Sequence, residues 1–257
     1  MIPWLEADTP FPDTRMALGH QSDAPGLLAA SQDVSLSRLR AAYRRGIFPW
    51  FSEGQPVLWW STDPRMVLPV AEFKLSRSLR KTIQKFQRTP GCEVRVDSAF
   101  ARVMQGCAQT PRHGQSGTWI LAPIQRVYLA WHREAQMALT EGRPAPSGVH
   151  SVETWVDGEL VGGLYGVHVG RMFYGESMFA LQTDASKIAL SALICLCRRE
   201  GIELIDCQQE TSHLASLGAR PIPRSEFESH LNKVVDAPAP LDWSYDDSTW
   251  AHLLPPA

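Results

Sequence analysis

A carboxylate and an amide lie two positions apart in the segment Ile205-Asp206-Cys207-Gln208. The segment is typical of a short buried strand. Alternation along a strand predicts that Asp206 and Gln208 face the same side, while Cys207 faces the packed interior. Such a pair can orient an incoming amine and accept its proton or its charge. The alternative is that Asp206 is a buried aspartate that fixes a loop through hydrogen bonds.

A second carboxylate, Glu176, stands in the run Gly175-Glu176-Ser177-Met178-Phe179, toward the end of another predicted strand. A carboxylate in this position can hold a cationic side chain through a charge-assisted hydrogen bond. A structural salt bridge is the alternative interpretation. The two carboxylates are therefore candidates for a single site that handles an amine and a positive charge.

Composition limits the classes of protein that can carry these residues. The chain has 257 residues, 44% hydrophobic and 20% charged, which suits one large domain or one domain plus a small one. No apolar run approaches the roughly 20 residues of a membrane helix, and the first residues lack a secretion signal, so we expect a cytoplasmic protein. The net charge of −2 means that any RNA contact must use a local basic patch.

The five cysteines form no C-x-x-C pair and no Cys/His ligand pattern, so we expect reduced thiols and no structural zinc.

Helix signals recur along the chain. Ser35 or Asp33 can cap a helix near 35–45 that Gly46 ends, and Asp184 can cap an apolar helix over 185–200. Further helices are predicted over 76–88, over 123–141 and from Ser225 onward. The helices near 38–45 and 77–88 are basic and are candidates for contacting RNA phosphates.

Strand signals concentrate after residue 150. Asp157-Gly158 predicts a hairpin turn between strands Val152–Val156 and Glu159–Tyr165. Strands follow at Arg171–Met178 and Ile202–Gln208. The order predicts an α+β fold with a mostly antiparallel sheet. We expect a small N-terminal domain at 1–65, a catalytic domain at 66–235 and a loosely packed extension at 236–257.

A series of short motifs runs in order along the chain and resembles one family. The motifs are Tyr43-x-x-Gly46-Ile47-Phe48-Pro49-Trp50-Phe51, Trp59-Trp60-Ser61-x-Asp63-Pro64-Arg65, Gly117-Thr118-Trp119-Ile120, His150-Ser151-Val152-Glu153, Gly162-Gly163-x-Tyr165-Gly166, Gly175-Glu176-Ser177-Met178-Phe179, Ala185-Ser186-Lys187, Ile205-Asp206-Cys207-Gln208 and Leu214-Ala215-Ser216-Leu217-Gly218-Ala219. Together they resemble the leucyl/phenylalanyl-tRNA–protein transferase family, from about Gly26 to about Leu231.

The resemblance implies a fold and a reaction. It implies a GNAT-like (acetyltransferase-like) catalytic domain that transfers Leu or Phe, with Met as a further donor, from aminoacyl-tRNA. The acceptors would be proteins that begin with Arg or Lys, and the product would enter the N-degron degradation pathway. An aminoacyl-tRNA is an activated ester, so neither metal nor cofactor is required; positioning and oxyanion stabilisation suffice.

The resemblance also implies roles for individual residues. It places Asp206 and Gln208 at the catalytic centre and Glu176 at the acceptor. Trp50, Trp119 and Tyr43 would close over the 3′-terminal adenosine, whereas we expect Trp59 or Trp60 in the core. The implied donor side-chain pocket consists of Leu164, Phe173, Met178, Leu190 and Ile205. From the sequence pattern alone, these five residues are ordinary core positions.

Two rival functions remain open. An acetyl-CoA-dependent acetyltransferase would share the fold, but such enzymes cradle a pyrophosphate on a Gly-rich loop at a helix N-terminus. The stretch Gln182-Thr183-Asp184-Ala185-Ser186 has no glycine and adds an anion. A non-catalytic RNA-binding module would explain the arginines and tryptophans, but it gives Asp206, Gln208 and Glu176 no shared purpose.

Departures from the family pattern lie outside the proposed chemistry. Ser31-Gln32-Asp33 and Thr62 differ from the usual residues, and the loops at 112–115 and 142–148 look like additions.

Overall fold

Five of the seven described α-helices lie near the positions that the sequence predicted. The computed structural model describes residues 2–110 and 118–254, so the loop at 112–115 and Gly117 lie outside the described residues. The side chains of Ser35 and Ser76 cap the first two helices by accepting from backbone amides. The helices are α1 (Leu36–Tyr43), α2 (Arg77–Arg88), α3 (Phe100–Gln109), α4 (Ala122–Thr140), α5 (Ala185–Glu200), α6 (Ser212–Ser216) and α7 (Arg224–Val234). Helices α3 and α6 were not predicted.

The strands form two sheets. A four-stranded sheet has the order β1-β2-β4-β3, and its strands are β1 (Trp4–Leu5), β2 (Leu27–Ser31), β3 (Phe48–Pro49) and β4 (Val57–Trp60). A seven-stranded sheet has the order β11-β5-β10-β9-β8-β7-β6, and its strands are β5 (Arg65–Pro69), β6 (Cys92–Val96), β7 (Ser147–Val156), β8 (Glu159–Val169), β9 (Met172–Ala180), β10 (Leu204–Gln208) and β11 (Arg220–Ile222).

The large sheet confirms the predicted α+β class. Within the described residues, every pairing in it is antiparallel except that of β9 with β10, which is parallel. The hairpin at Asp157-Gly158 joins β7 to β8 as predicted. Helices α2 and α5 contribute to the core on one face, and α3, α4 and the N-terminal region to the core on the other. No described helix is long and apolar enough to cross a membrane.

Helix α1 attaches the N-terminal region to the large sheet. Gly46 follows the helix at a φ of 68°, and a Cβ there would lie 2.7 Å from the ring of Phe227 on α7. The Tyr174 hydroxyl on β9 donates to the Tyr43 carbonyl at 2.5 Å. The end of α1 is therefore fixed against both α7 and the sheet. The division into 1–65, 66–235 and 236–257 stays a prediction.

The arginines of α1 and of the two residues after it contact the protein itself. The prediction that they contact RNA phosphates is therefore corrected. Arg38 is buried and donates to the carbonyls of residues 6, 7 and 9, and Arg45 donates to those of Phe11 and Pro12. Arg40 and Arg44 form ion pairs with carboxylates on other elements. These guanidinium groups hold the N-terminal arm and neighbouring helices, so they are not a free surface for phosphates.

The C-terminal segment, residues 236–254, is packed rather than loose. Trp243, Trp250 and Leu254 are buried in the same core cluster as α5. The Arg199 guanidinium donates to backbone carbonyls of the segment at 2.7 and 2.9 Å. The prediction of a loosely packed extension was therefore wrong, because its widely spaced tryptophans are buried although no regular apolar pattern marks them.

Candidate functional site

The site lies where two parallel strands separate. Strands β9 and β10 pair only at Phe173 with Ile205 and at Tyr174 with Asp206. Beyond these pairs the two strands diverge, and a cavity of about 530 Å³ lies between Gly175–Met178 on one side and Cys207–Gln209 on the other. Divergence exposes backbone and side chains that a continuous sheet would cover.

Most of the predicted site residues reach this cavity. Eight of them line it: Trp50, Trp119, Leu164, Glu176, Met178, Leu190, Ile205 and Gln208. Three do not. Phe173 lies behind the wall in the core, Tyr43 reaches Glu176 from α1, and Asp206 is buried beneath the lining. The structure therefore gathers residues from both sheets around one cavity.

Asp206 is bound by an arginine and has no exposed surface. The Arg65 guanidinium donates to both carboxylate oxygens, at 2.7 and 2.6 Å, and both side chains are buried. The rings of Phe48 and Phe227 each lie 4.7 Å from the Arg65 guanidinium carbon. A bidentate pair between two aromatic faces is a strong, directional contact. In this structure, Asp206 faces Arg65 rather than the cavity.

A local turn directs Gln208 into the cavity, and this corrects the predicted alternation. Cys207 lines the cavity beside Ile205, whereas we expected it to face the interior. Gln208 also lines the cavity because the strand register shifts between Asp206 and Gln208, where the backbone has a φ of 54°. The Asp206 carboxylate accepts from the Gln208 backbone amide at 3.0 Å and so stabilises this turn.

The Gln208 side chain retains hydrogen-bonding capacity. Its amide nitrogen, Nε2, is buried and has no hydrogen-bond partner among the described residues. A buried donor without a partner costs free energy, and native structures keep one mainly where a ligand or water satisfies it. Backbone strain at a non-glycine residue with positive φ is also typical of functional positions. Gln208 is thus placed to donate to a bound molecule.

Glu176 occupies an irregular point of β9. The pairing of β8 with β9 shifts register there, so that Gly175 and Ser177 pair with successive residues and Glu176 is the extra residue. Its carboxylate accepts from Tyr43 at 2.7 Å, and the Tyr128 hydroxyl lies 3.3 Å from the other oxygen. Burial raises the pKa of Glu176 to about 8, although the tyrosine hydrogen bonds act in the opposite direction.

The tryptophans divide as expected between cavity and core. Trp59 is fully buried and Trp60 nearly so. Trp50 and Trp119 are partly exposed and line the cavity. The Trp60 indole donates to the Trp50 carbonyl at 2.7 Å, and the two rings lie 5.4 Å apart. The core tryptophan therefore supports the one at the cavity.

Sequence reasoning missed two groups that hold the site together. Arg65 was noted only as the last residue of a motif, although a buried aspartate implies a cationic partner. Tyr128 was not among the predicted site residues, yet its hydroxyl lies 2.5 Å from that of Tyr43. A buried tyrosine usually finds a hydrogen-bond partner, and that rule was the available signal.

Comparisons with known proteins point to one family. The sequence model described as leucyl/phenylalanyl-tRNA protein transferase matches residues 67–232, and the model of that family's N-terminal domain matches residues 32–63. Proteins named leucyl/phenylalanyl-tRNA–protein transferase are similar along the chain. The one from Leptothrix cholodnii is 62% identical over 256 residues, which cover 98% of this chain and 95% of the relative.

The relatives from two further organisms agree. The protein from Methylibium petroleiphilum is 59% identical over 98% of this chain and 91% of its own, and the one from Paraburkholderia xenovorans is 55% identical over 100% of both. Among solved structures, L-PGS from Bacillus licheniformis is similar with a TM-score of 0.35 and 11% identity, covering 74% of this chain and 57% of that chain. That likeness is too weak to bear on the fold.

The Arg65–Asp206 pair predicts a loss of stability. Asp206→Asn leaves a buried guanidinium without its counter-charge, which should lower the free energy of unfolding by about 3–5 kcal/mol. Chemical denaturation measures this change. Removing both charges with Arg65→Leu and Asp206→Leu together should destabilise less than the sum of the two single changes. An Asp206→Asn protein as stable as the parent would show that the pair contributes little.

Proposed function

The chain belongs to the leucyl/phenylalanyl-tRNA–protein transferase family, and from this premise we propose that it transfers Leu or Phe from tRNA to proteins that begin with Arg or Lys. The observation that carries the proposal is the composition of the cavity wall. A single cavity combines apolar side chains, two tryptophan rings, a carboxyl group and an unpartnered amide. These are the groups that an apolar donor side chain, an adenosine, a cationic acceptor and a developing oxyanion require.

The donor side chain binds to the apolar wall. Leu164, Met178, Leu190 and Ile205 line the cavity, and Phe173 lies behind them. A pocket built from aliphatic side chains and a flexible methionine can accept both a branched and an aromatic side chain. We propose this wall as the binding site for Leu and Phe, with Met as a further donor.

The reaction forms an amide and releases the ribose hydroxyl. The acceptor α-amine attacks the ester carbonyl, the carbon–oxygen bond to the ribose breaks, and the amine proton is transferred to the leaving ribose oxygen through a hydrogen-bonded group. An α-amine has a pKa of about 7.7–8, so a substantial fraction is neutral and nucleophilic near neutral pH. Gln208 Nε2 donates to the carbonyl oxygen as negative charge develops there.

Asp206 acts through Gln208. Its oxygens are bound by Arg65 and by the Gln208 backbone amide, which leaves none directed at the cavity. We therefore assign Asp206 as a positioning residue that holds the turn at Gln208. The final proton acceptor is then the leaving ribose oxygen of the substrate, rather than Asp206.

Glu176 is the proposed partner of the acceptor's cationic side chain. When ionised, its carboxylate supplies the negative charge that an Arg or Lys side chain requires. A bound cation would lower the pKa of Glu176 from its raised value and favour the ionised form. The two tyrosines orient the carboxyl group from α1 and α4.

We place the tRNA at the cavity mouth and on a basic surface of the protein. Trp50 and Trp119 stack on the terminal adenine. Tyr43 contributes to the same site indirectly, through its hydrogen bond to Glu176. Helix α2 presents cationic side chains for which no ion pair is found among the described residues, namely Arg77, Arg80, Lys81, Lys85 and Arg88. This helix is the proposed phosphate contact.

Membership of the family also supports the proposed domain type, cellular location and fate of the product. The larger sheet with helices on both faces is consistent with a GNAT-like domain, and aminoacyl-tRNA as substrate places the enzyme in the cytoplasm. The product carries a new N-terminal Leu or Phe and is marked for degradation through the N-degron pathway.

Acetyl-CoA is a poorer fit than aminoacyl-tRNA. The Asp184 carboxylate lies directly before α5 and pairs with Lys187 at 2.8 Å. An anion at this helix N-terminus repels the pyrophosphate of CoA.

One assay tests the function directly. Radiolabelled Leu-tRNA and Phe-tRNA are incubated with the protein and with two acceptors that differ only in an N-terminal Arg or Ala. We expect label to enter the Arg acceptor. Transfer from acetyl-CoA instead, or RNA binding without transfer, would support one of the rival functions.

The proposed stacking residues predict a loss of nucleoside affinity. Trp50→Ala and Trp119→Ala should each weaken the binding of an aminoacyl-adenosine fragment by about 1–3 kcal/mol, measured by calorimetry. Trp155→Ala serves as the matched control, because Trp155 is buried on β7 and does not line the cavity. It should lower stability without changing fragment affinity. If all three variants bound the aminoacyl-adenosine fragment with equal affinity, Trp50 and Trp119 would have only a packing role.

The raised pKa of Glu176 predicts a pH-dependent acceptor preference. Glu176 is mostly protonated below a pH of about 8 in the free protein, so its charge appears as the pH rises toward that value. The ratio of kcat/KM for Arg over Ala acceptors should therefore rise between about pH 6 and 8. Titration of the α-amine affects both acceptors and largely cancels in the ratio.

Glu176→Gln should remove this dependence and lower the ratio about tenfold to a hundredfold, since one charge-assisted hydrogen bond is lost. The variant should fold, because burying an amide costs less than burying a carboxylate. Its preference among donor tRNAs should be unchanged. If acceptor preference survived and donor preference collapsed, Glu176 would belong to the donor side.

A further inference from the structure

One indole ring of the C-terminal segment packs against Phe173, next to the donor wall. Trp243 is 5% exposed, and its ring lies 6.0 Å from the ring of Phe173, centroid to centroid. Phe173 pairs in register with Ile205 on β10, and Ile205 lines the cavity. The chain of contacts therefore runs from the segment through Phe173 to the strand that carries the wall.

Trp243 itself is held on a rigid base. Its ring stacks on His150, with centroids 3.9 Å apart and planes 15° apart. His150 is bonded to Asp97 at 2.6 Å through Nδ1 and to His168 at 3.0 Å through Nε2, and His168 is bonded in turn to the Ala145 carbonyl. This buried row of hydrogen bonds fixes the His150 ring, which prevents Trp243 from moving toward the sheet.

The Phe173 ring is fully buried and lies over Gly166. A Cβ on Gly166 would lie 2.4 Å from the Phe173 ring, so the ring occupies the space that the glycine leaves open. Because β8 lies against the Phe173 ring at Gly166 and Trp243 lies beside the ring, Phe173 can shift only if one of these neighbours is removed. The position of Phe173 is thus set by Gly166 and Trp243 together.

We propose that Trp243 is a specificity-determining positioning residue: by holding Phe173 behind Ile205, it sets the width of the donor pocket. The inference rests on the proposed aminoacyl transfer. Without the indole, Phe173 relaxes into the vacated space and the pocket widens behind Ile205. A wider pocket favours the larger of the two donor side chains.

The test measures donor preference in two matched variants. Trp243→Ala should raise the ratio of kcat/KM for Phe-tRNA over Leu-tRNA by about tenfold, the scale on which a hydrophobic pocket discriminates small differences in side-chain size. Trp250→Ala is the control. Trp250 lies in the same segment, is 2% exposed and packs on Tyr245, with no ring contact to Phe173. It should lower the melting temperature and leave the ratio within twofold of the parent.

A conservative variant separates ring packing from any other role. The Trp243 indole nitrogen is buried without a hydrogen-bond partner among the described residues, so the ring acts by packing alone. Trp243→Phe should therefore keep the parent ratio. If the alanine variant fails to fold, Trp243→Leu takes its place and should raise the ratio. Phe173→Leu should raise the ratio directly, and adding Trp243→Ala to it should give little further change.

Three outcomes would overturn the inference. They are a ratio unchanged in both Trp243→Ala and Trp243→Leu, an equal shift in Trp250→Ala, and fully additive effects of Trp243→Ala and Phe173→Leu. Failure of the proposed function is a separate result, because the unaltered protein would then transfer neither Leu nor Phe.

Discussion

The buried pair of Arg65 and Asp206 is the contact on which the site depends. Arg65 begins β5, and Asp206 lies in β10, so the pair joins two neighbouring central strands. Its aromatic neighbours extend the connection, since Phe48 belongs to the small sheet and Phe227 to α7. The same carboxylate holds the Gln208 turn. Desolvation of two charges is costly, and the bidentate geometry and the two aromatic faces offset that cost.

Two bulges shape the cavity from its opposite sides. One lies at Glu176 on β9, and the other lies between Asp206 and Gln208 on β10, where Cys207 is the extra residue; both are directly beyond the two residue pairs that join these strands. Each bulge interrupts the alternation of side chains and places a polar group, Glu176 or Gln208, at the cavity. The carboxyl group is then held by two tyrosines, and the amide by the turn that Asp206 stabilises. Local irregularity in the sheet thus produces the polar part of the site.

Sequence patterns predicted the regular parts of this fold and failed at the irregular ones. A cap at Ser35 located α1, and Asp157-Gly158 located the β7–β8 hairpin, because these signals are local. Period-two alternation was wrong in giving Asp206 and Gln208 the same side, since the shift of register between them is set by the neighbouring strands. The tail was misjudged because Trp243 and Trp250 lie among Pro and Asp residues, and only tertiary contacts show that they are buried. The cavity residues came from the family resemblance, as their pattern matches ordinary core.

The bulge at Glu176 also separates the polar group of the cavity from its apolar wall. Met178 lies two residues beyond Glu176 and pairs with Leu164, on the face of the sheet that α5 covers. Glu176 instead reaches the tyrosines of α1 and α4, on the opposite face. Regular alternation would have placed both side chains on one face, where a carboxylate would intrude on the apolar wall. The carboxyl group and the apolar wall therefore lie on opposite faces of the sheet and meet only where the strands separate, at the cavity that Gln208 also lines. Because the shift of register on β10 turns the Gln208 amide into this opening without a partner among the described residues, the opening combines an acidic group, an apolar wall and an available donor that a continuous sheet would keep apart.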